Sequence, residues 1–132
     1  MQTLVEWLSN LNQESLKQID NYYRSDCEFQ DPFNHVRGLT KIRHLFNEMF
    51  ELDEARFELV DHIQQGNKLF ITWDLSFSFR GKPQSIHGSS YILMADDGLI
   101  VSHRDYWDAA EQVYEKIPIL GWILRKIKKR FS

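Results

Sequence analysis

Cysteine, proline and glycine are all scarce in this sequence. The 132 residues include one cysteine, Cys27, with three prolines and six glycines. A single cysteine excludes an internal disulfide framework and a cysteine-rich zinc site. No apolar run is long enough to cross a membrane, and no basic segment precedes the first apolar stretch as in a signal peptide. We therefore expect a single soluble, cytoplasmic domain without low-complexity segments.

The residues that are present have ordinary globular proportions. Hydrophobic residues make up 42% of the chain and charged residues 27%, which excludes a disordered protein. Aromatic residues reach 14%, enough to line a cavity as well as fill a core.

Charge is distributed unevenly along the chain. Residues 1–115 contain all nineteen acidic residues and ten of the sixteen basic ones, a net charge of −9, whereas residues 116–132 carry +6. The acidic body argues against nucleic-acid binding, because a phosphate backbone would be repelled. We therefore expect no nucleic-acid partner.

The C-terminal segment 119–132 has the pattern of a basic amphipathic helix. Leucine and isoleucine side chains recur on one helical stripe, and the rest of the surface carries Arg125, Lys126, Lys128, Lys129 and Arg130. Such a helix can attach weakly to an anionic membrane surface or bind an acidic partner. The alternative is a helix that caps residues 1–118 or joins two copies, with its charges in solvent.

Hydrophobic periodicity changes once along the chain. Apolar residues at helical spacing predict a helix pair at the N-terminus and a third helix capped by Thr40, with a short strand over Cys27–Asp31 between them. From Phe57 onward the period is two, with turns at Gly66-Asn67, at Arg80–Pro83 and at Asp96–Gly98. Helices followed by an antiparallel meander predict an α+β fold.

This order of elements resembles the SnoaL-like and ketosteroid-isomerase superfamily, which has the nuclear transport factor two fold. The likeness covers about residues 1–110. It includes the run Phe29-Gln30-Asp31-Pro32-Phe33 and the run His103–Asp108 within the final predicted strand, Leu99–Asp108. The resemblance implies a cone, in which a mixed, mainly antiparallel sheet wraps around the helices and leaves an apolar pocket. It also implies a homodimer and a small apolar molecule as ligand.

Asp31 is the first candidate for catalysis. It falls where the ketosteroid isomerases keep their general base, and a carboxylate at the mouth of an apolar pocket is a usable base near neutral pH. The other interpretation is an aspartate that orders the turn before Pro32. The two oxyanion donors of that family are replaced by Trp7 and Ser90, so we expect no efficient steroid isomerase.

His103 and Asp105 are the second candidate. A period of two places them with Trp107 on one face of the last strand, where they can share a proton or hold a water. In the SnoaL-type cyclases an aspartate in the cone acts as acid and base, and Asp105 resembles it. The alternative is a buried hydrogen-bond network that fixes the strand.

The predicted ligand contacts follow from these positions. We expect the ligand to contact Trp7, Ser90 and Trp107, together with the apolar wall residues Trp73, Leu75 and Phe77. Histidine spacing gives no metal motif, and acidic neighbours make Cys27 a poor nucleophile. The first hypothesis is therefore a metal-independent and cofactor-free isomerase, cyclase or lyase that acts on a small apolar carbonyl-type ligand. The alternative is a non-catalytic ligand-binding or scaffold module whose basic tail contacts a membrane or an acidic partner.

Overall fold

The computed structural model describes residues 2–107. The predicted C-terminal helix and its five basic residues therefore lie outside the described residues. The described chain is α+β, with helices packed on one curved sheet, as predicted. None of the helices in this range is long and apolar enough to cross a membrane.

The N-terminal helical region is shorter than the sequence suggested. Helix α1 covers Leu4–Ser9 and begins where the Thr3 hydroxyl accepts a hydrogen bond from the Glu6 amide. The predicted second helix is a 3₁₀ helix over Ser15–Asn21. The Asn12 and Ser15 side chains satisfy each other's backbone amides at the break, with distances of 2.8 and 2.9 Å.

The segment between the helices contains more strand than predicted. Strand β1 covers Tyr23–Gln30, so it begins four residues before the predicted start at Cys27, and a short β2 covers His35–Arg37. Helix α2 covers Leu39–Phe50. Its N-cap is Gly38 and not Thr40, because the backbone enters the helix at φ +104°, which favours glycine.

Three long strands form the meander that the alternation predicted. Strands β3, β4 and β5 cover Asp53–Gln65, Lys68–Phe79 and Lys82–Met94. The turn between β4 and β5 consists of Arg80 and Gly81, both at positive φ, so Pro83 belongs to the strand and not to the turn. Strand β6 covers Ile100–Tyr106.

The six strands lie in the order β2-β1-β6-β5-β4-β3. Only the β1–β6 pair is parallel, and its register shifts between Tyr23 and Glu28. The buried face of β4 is the alternating apolar set expected from the sequence, Leu69, Ile71, Trp73, Leu75 and Phe77. Together with α1, α2 and the 3₁₀ helix this face forms the core.

Candidate functional site

The last strand supplies the polar centre of the candidate site. On β6, His103 is buried and Asp105 is partly buried, whereas the intervening Arg104 is exposed. This confirms the predicted alternation of faces. Arg104 places its guanidinium over the Tyr106 ring, with the guanidinium carbon 5.0 Å from the ring centroid.

Asp105 accepts two hydrogen bonds on the same oxygen. Nε2 of His103 lies 2.7 Å from Asp105 Oδ1, and the Ser90 hydroxyl on the neighbouring strand donates to this oxygen at 2.5 Å. The side chain of Asp105 retains 16% exposure. Within residues 2–107 the second oxygen, Oδ2, receives no hydrogen bond, so it is available to a ligand.

The hydrogen bonds continue on both sides of this carboxylate. The Tyr23 hydroxyl lies 2.7 Å from Nδ1 of His103, and the Trp73 indole donates to the Ser90 hydroxyl at 2.9 Å. A chain of five side chains, Tyr23, His103, Asp105, Ser90 and Trp73, therefore crosses strands β1, β6, β5 and β4. Tyr23 was not among the predicted site residues.

Aromatic rings hold His103 in place. The centroids of Phe29 and Phe46 lie 5.0 and 5.9 Å from the imidazole centroid, and the Tyr23 ring stacks on it at 5.9 Å. Because interiors are close-packed, these contacts fix the orientation of the ring and of its two nitrogens.

Asp31 lies just after β1 and orders the turn that follows it. Its Oδ1 accepts hydrogen bonds from the backbone amides of Phe33 at 2.8 Å and Asn34 at 2.6 Å. Burial raises the pKa of Asp31, these hydrogen bonds oppose the rise, and the charge of Asp105 adds to it. The Asn34 side-chain amide also donates to both carboxylate oxygens, at 3.1 and 3.2 Å, so the turn interpretation describes the contacts of Asp31.

Both aspartates line one open cavity of about 690 Å³. Its wall also contains Gln30, Pro32, His87, Gly88, Ser89, Arg104, Tyr106 and Trp107. This volume lies within the usual range for small-molecule sites. Of the predicted ligand-contacting residues only Trp107 lines this cavity, and it packs against Phe33 with ring centroids 5.3 Å apart.

The other predicted ligand contacts occupy the core. Trp7 is fully buried, and its indole N–H, the only donor of the side chain, donates to the Ser15 carbonyl at 3.0 Å. Ser90 is 1% exposed and acts within the hydrogen-bond chain. Buried alongside them are Trp73, Leu75 and Phe77, none of which lines the cavity described above.

Gly88 gives the Trp73 ring its position. A Cβ atom added at Gly88 would lie 2.6 Å from two carbons of the indole ring, closer than real contacts allow. The absence of a side chain at Gly88 lets the indole lie across β5 with its N–H directed at Ser90. A glycine in a strand often marks such a close approach.

Cys27 is buried, and burial raises the pKa of its thiol to about 11. Asp26 adds to the rise, whereas Glu28, which the sequence also suggested, is not among the causes. Within residues 2–107 no group of three or more histidine, cysteine, aspartate or glutamate side chains is placed to hold a metal ion.

Solved structures share this fold at low sequence identity. An NTF2-like protein of unknown function from Cytophaga hutchinsonii is 19% identical, with TM-score 0.65, over 84% of this chain and 96% of that one. An LEH-like epoxide hydrolase from M. tuberculosis is 18% identical, with TM-score 0.69, over 92% and 88%. TerC, co-crystallised with polyporic acid, is 17% identical, with TM-score 0.68, over 82% and 90%.

Sequence comparison gives the family. Curated protein sequences yield no match. The SnoaL-like domain family, however, matches residues 4–103, which include the buried strands, the turn at Asp31 and His103. The chain belongs to the SnoaL-like domain family.

Proposed function

We propose that this protein is a cofactor-free and metal-independent isomerase, cyclase or lyase that acts on a small apolar carbonyl compound. The observation that carries the proposal is the Asp105 carboxylate, which lines a cavity with Oδ1 held by two donors and Oδ2 unbonded within residues 2–107. A carboxylate that is held by hydrogen bonds to one oxygen, while its other oxygen accepts none, is suited to remove an acidic proton from a bound molecule.

Asp31 supplies the complementary group. We assign to Asp31 the role of proton donor to a developing enolate oxygen. Burial and the charge of Asp105 raise its pKa and favour this role, whereas the hydrogen bonds from Phe33 and Asn34 oppose it. The two carboxyl groups then work as a pair, in which Asp105 takes a proton from carbon and Asp31 delivers one to oxygen. Of the three residues predicted to be catalytic, Asp31 and Asp105 exchange protons with the ligand in this proposal, and His103 acts by holding Asp105.

The cavity wall combines apolar and polar side chains. Trp107 and Pro32 supply apolar surface, while Gln30, His87, Ser89 and Arg104 supply polar groups in the same wall. Because the two carboxyl groups disfavour an anion next to them, we propose that the molecule that reacts at Asp105 is an uncharged small ketone with an acidic α-hydrogen.

Hydrogen exchange tests the proposal without knowledge of the natural substrate. In deuterated buffer, a panel of small cyclic ketones and unsaturated ketones is followed by proton NMR with wild-type protein and with Asp105→Asn. We expect the wild type to accelerate deuterium uptake at the α-carbon of at least one member and the variant to lose that acceleration. Asp20→Asn, at an exposed position of the 3₁₀ helix, is the matched control and should behave as wild type. Uptake at the buffer rate for the whole panel, or full uptake with Asp105→Asn, rejects the proposal.

One observation favours the second candidate, a ligand-binding or scaffold module without catalysis. Both residues at the positions of the family's oxyanion donors, Trp7 and Ser90, use their hydrogen bonds inside the protein. A missing oxyanion donor typically costs about 3–4 kcal/mol of transition-state stabilisation. Native mass spectrometry of the purified protein that shows a bound small molecule, together with no hydrogen exchange, would support this function.

The basic tail and the assembly stay predictions. Attachment of residues 119–132 to an anionic membrane is tested by co-sedimentation with phosphatidylserine vesicles, which should depend on salt and disappear when the tail is deleted. The homodimer is tested by sedimentation equilibrium of the full chain, and a cytoplasmic location by fractionation.

A further inference from the structure

We propose that Tyr23 is a positioning residue for Asp105: its hydroxyl donates to Nδ1 of His103, which places the imidazole proton on Nε2, where it is donated to Asp105 Oδ1. The two distances, from Tyr23 oxygen to Nδ1 and from Nε2 to Oδ1, are both 2.7 Å. The importance of this role for turnover rests on the proposed function, whereas the position of the proton does not.

The direction of the first hydrogen bond follows from the state of Tyr23. Its side chain is 1% exposed, and burial raises the pKa of the hydroxyl well above 10, with further contributions from Asp105 and Cys27. The hydroxyl therefore keeps its proton at neutral pH and can act as a donor. A neutral imidazole that accepts on Nδ1 carries its proton on Nε2.

The second hydrogen bond excludes the opposite tautomer. Asp105 Oδ1 is an acceptor, so an unprotonated Nε2 at 2.7 Å would place two acceptors against each other. The His103 imidazole cannot rotate away from Asp105, because the rings of Phe29, Phe46 and Tyr23 pack against it. The partner opposite His103 on β5 is Ile92, which offers no titratable group.

The position of the imidazole proton affects the cavity through the orientation of the Asp105 carboxylate. His103 on its own strand and Ser90 on β5 both direct a proton at Oδ1. Together they fix the rotation of the carboxylate, so that Oδ2 stays available for a ligand. Without the Tyr23 hydroxyl the histidine proton can move to Nδ1, and Asp105 then keeps only the donor from Ser90.

The proton position can be measured directly by long-range proton–nitrogen NMR of the histidine rings at neutral pH. The chain has five histidines, and a His103→Gln variant identifies the signals of His103. We expect the wild type to carry the imidazole proton on Nε2, with Nδ1 accepting the hydrogen bond from Tyr23. A proton on Nδ1, or on both nitrogens, overturns the proposal, and this arm needs no variant of Tyr23.

Tyr23→Phe tests the role of the hydroxyl, since phenylalanine keeps the ring contacts with Trp7 and Phe46. The matched control is Tyr22→Phe, which removes a hydroxyl bonded to the Gln2 carbonyl at 2.7 Å and not linked to His103. We expect the His103 signals to show a mixture of tautomers in Tyr23→Phe and the wild-type pattern in Tyr22→Phe. If Tyr23→Phe folds and its His103 signals are the same as in the wild type, the proposal is overturned. If Tyr23→Phe does not fold, the position of the His103 proton in the wild type decides whether the proposal stands.

Hydrogen exchange with a ketone that the wild type accepts gives the kinetic readout. We expect Tyr23→Phe to lower kcat about tenfold with little change in KM, and Tyr22→Phe to change neither. Failure of the two proposals is distinguishable. If the wild type shows the predicted tautomer but no hydrogen exchange with any ketone, only the proposed enzyme activity is rejected. If hydrogen exchange occurs and depends on Asp105 but the imidazole proton is not on Nε2, only the role of Tyr23 is rejected.

Discussion

Ser90 and Asp105 lie directly opposite each other on β5 and β6, and the Ser90 hydroxyl donates to Asp105 Oδ1 at 2.5 Å. Cross-strand neighbours on one face bring their side chains into contact, so a serine on β5 can support a carboxylate on β6. This contact joins the buried core, through Trp73, to the cavity in which Asp105 is partly exposed.

We expect Ser90→Ala to lower the free energy of unfolding by about 1–3 kcal/mol, because the Trp73 indole N–H loses its acceptor and Asp105 loses a donor. Urea denaturation measures the change. Ser76→Ala, at an exposed position of β4, should stay within about 0.5 kcal/mol of wild type. Equal stability of the two variants would contradict the assigned contacts.

Gly88→Ala should destabilise the protein by about 1–3 kcal/mol, since the new methyl group overlaps the Trp73 ring. Thermal unfolding measures the loss of stability, and tryptophan fluorescence reports the displacement of the Trp73 indole. A double variant with Trp73→Leu provides the control. Without the indole ring the overlap disappears, so Gly88→Ala should change the free energy of unfolding only slightly in the Trp73→Leu protein. If the effects of the two single substitutions on this free energy are strictly additive, the ring does not contact position 88.

The thiol of Cys27 should react very slowly with a disulfide reagent at neutral pH. Burial raises its pKa to about 11 and also restricts access of the reagent. Absorbance of the released thiolate measures the rate, which should rise sharply in denaturant. Fast labelling of the native protein would mean that β1 is more open than the structure shows.

Asp31 should make stability depend on pH in a defined direction. Because burial raises its folded-state pKa above 3.8, the protonated group stabilises the fold below that value, and this contribution is lost as pH rises through the folded pKa. The difference in unfolding free energy between wild type and Asp31→Asn should therefore shift against the wild type as pH rises. Urea denaturation over a pH series measures it, and a constant difference contradicts the raised pKa.

Alternation along β4 and β6 was predictable from the sequence because one face of each strand is buried and the period is fixed at two. The same reasoning placed His103, Asp105 and Trp107 on one side and Arg104 on the other. The helix start was predicted less well, since Gly38 at φ +104° serves as N-cap without a side-chain hydrogen bond.

The role of Tyr23 could not be read from the sequence for a topological reason. Tyr23 and His103 are eighty positions apart, and they meet because the first strand pairs in parallel with the last. That pairing contains a register shift after Tyr23, so no count along either strand predicts the contact. The adjacent tyrosine, Tyr22, donates its hydroxyl to the Gln2 carbonyl and takes no part in this chain of hydrogen bonds.

The central claim is that Asp31 and Asp105 are coupled carboxyl groups in one cavity. Carbon-13 NMR titration of the Asp31 carboxyl group tests it most directly, in wild type, in Asp105→Asn and in the control Asp20→Asn. We predict a pKa above 3.8 in wild type and in the control, and a lower value in Asp105→Asn, because removal of a nearby negative charge favours ionisation of Asp31. An Asp31 pKa at or below 3.8 in wild type, or one unchanged by Asp105→Asn, would contradict the account.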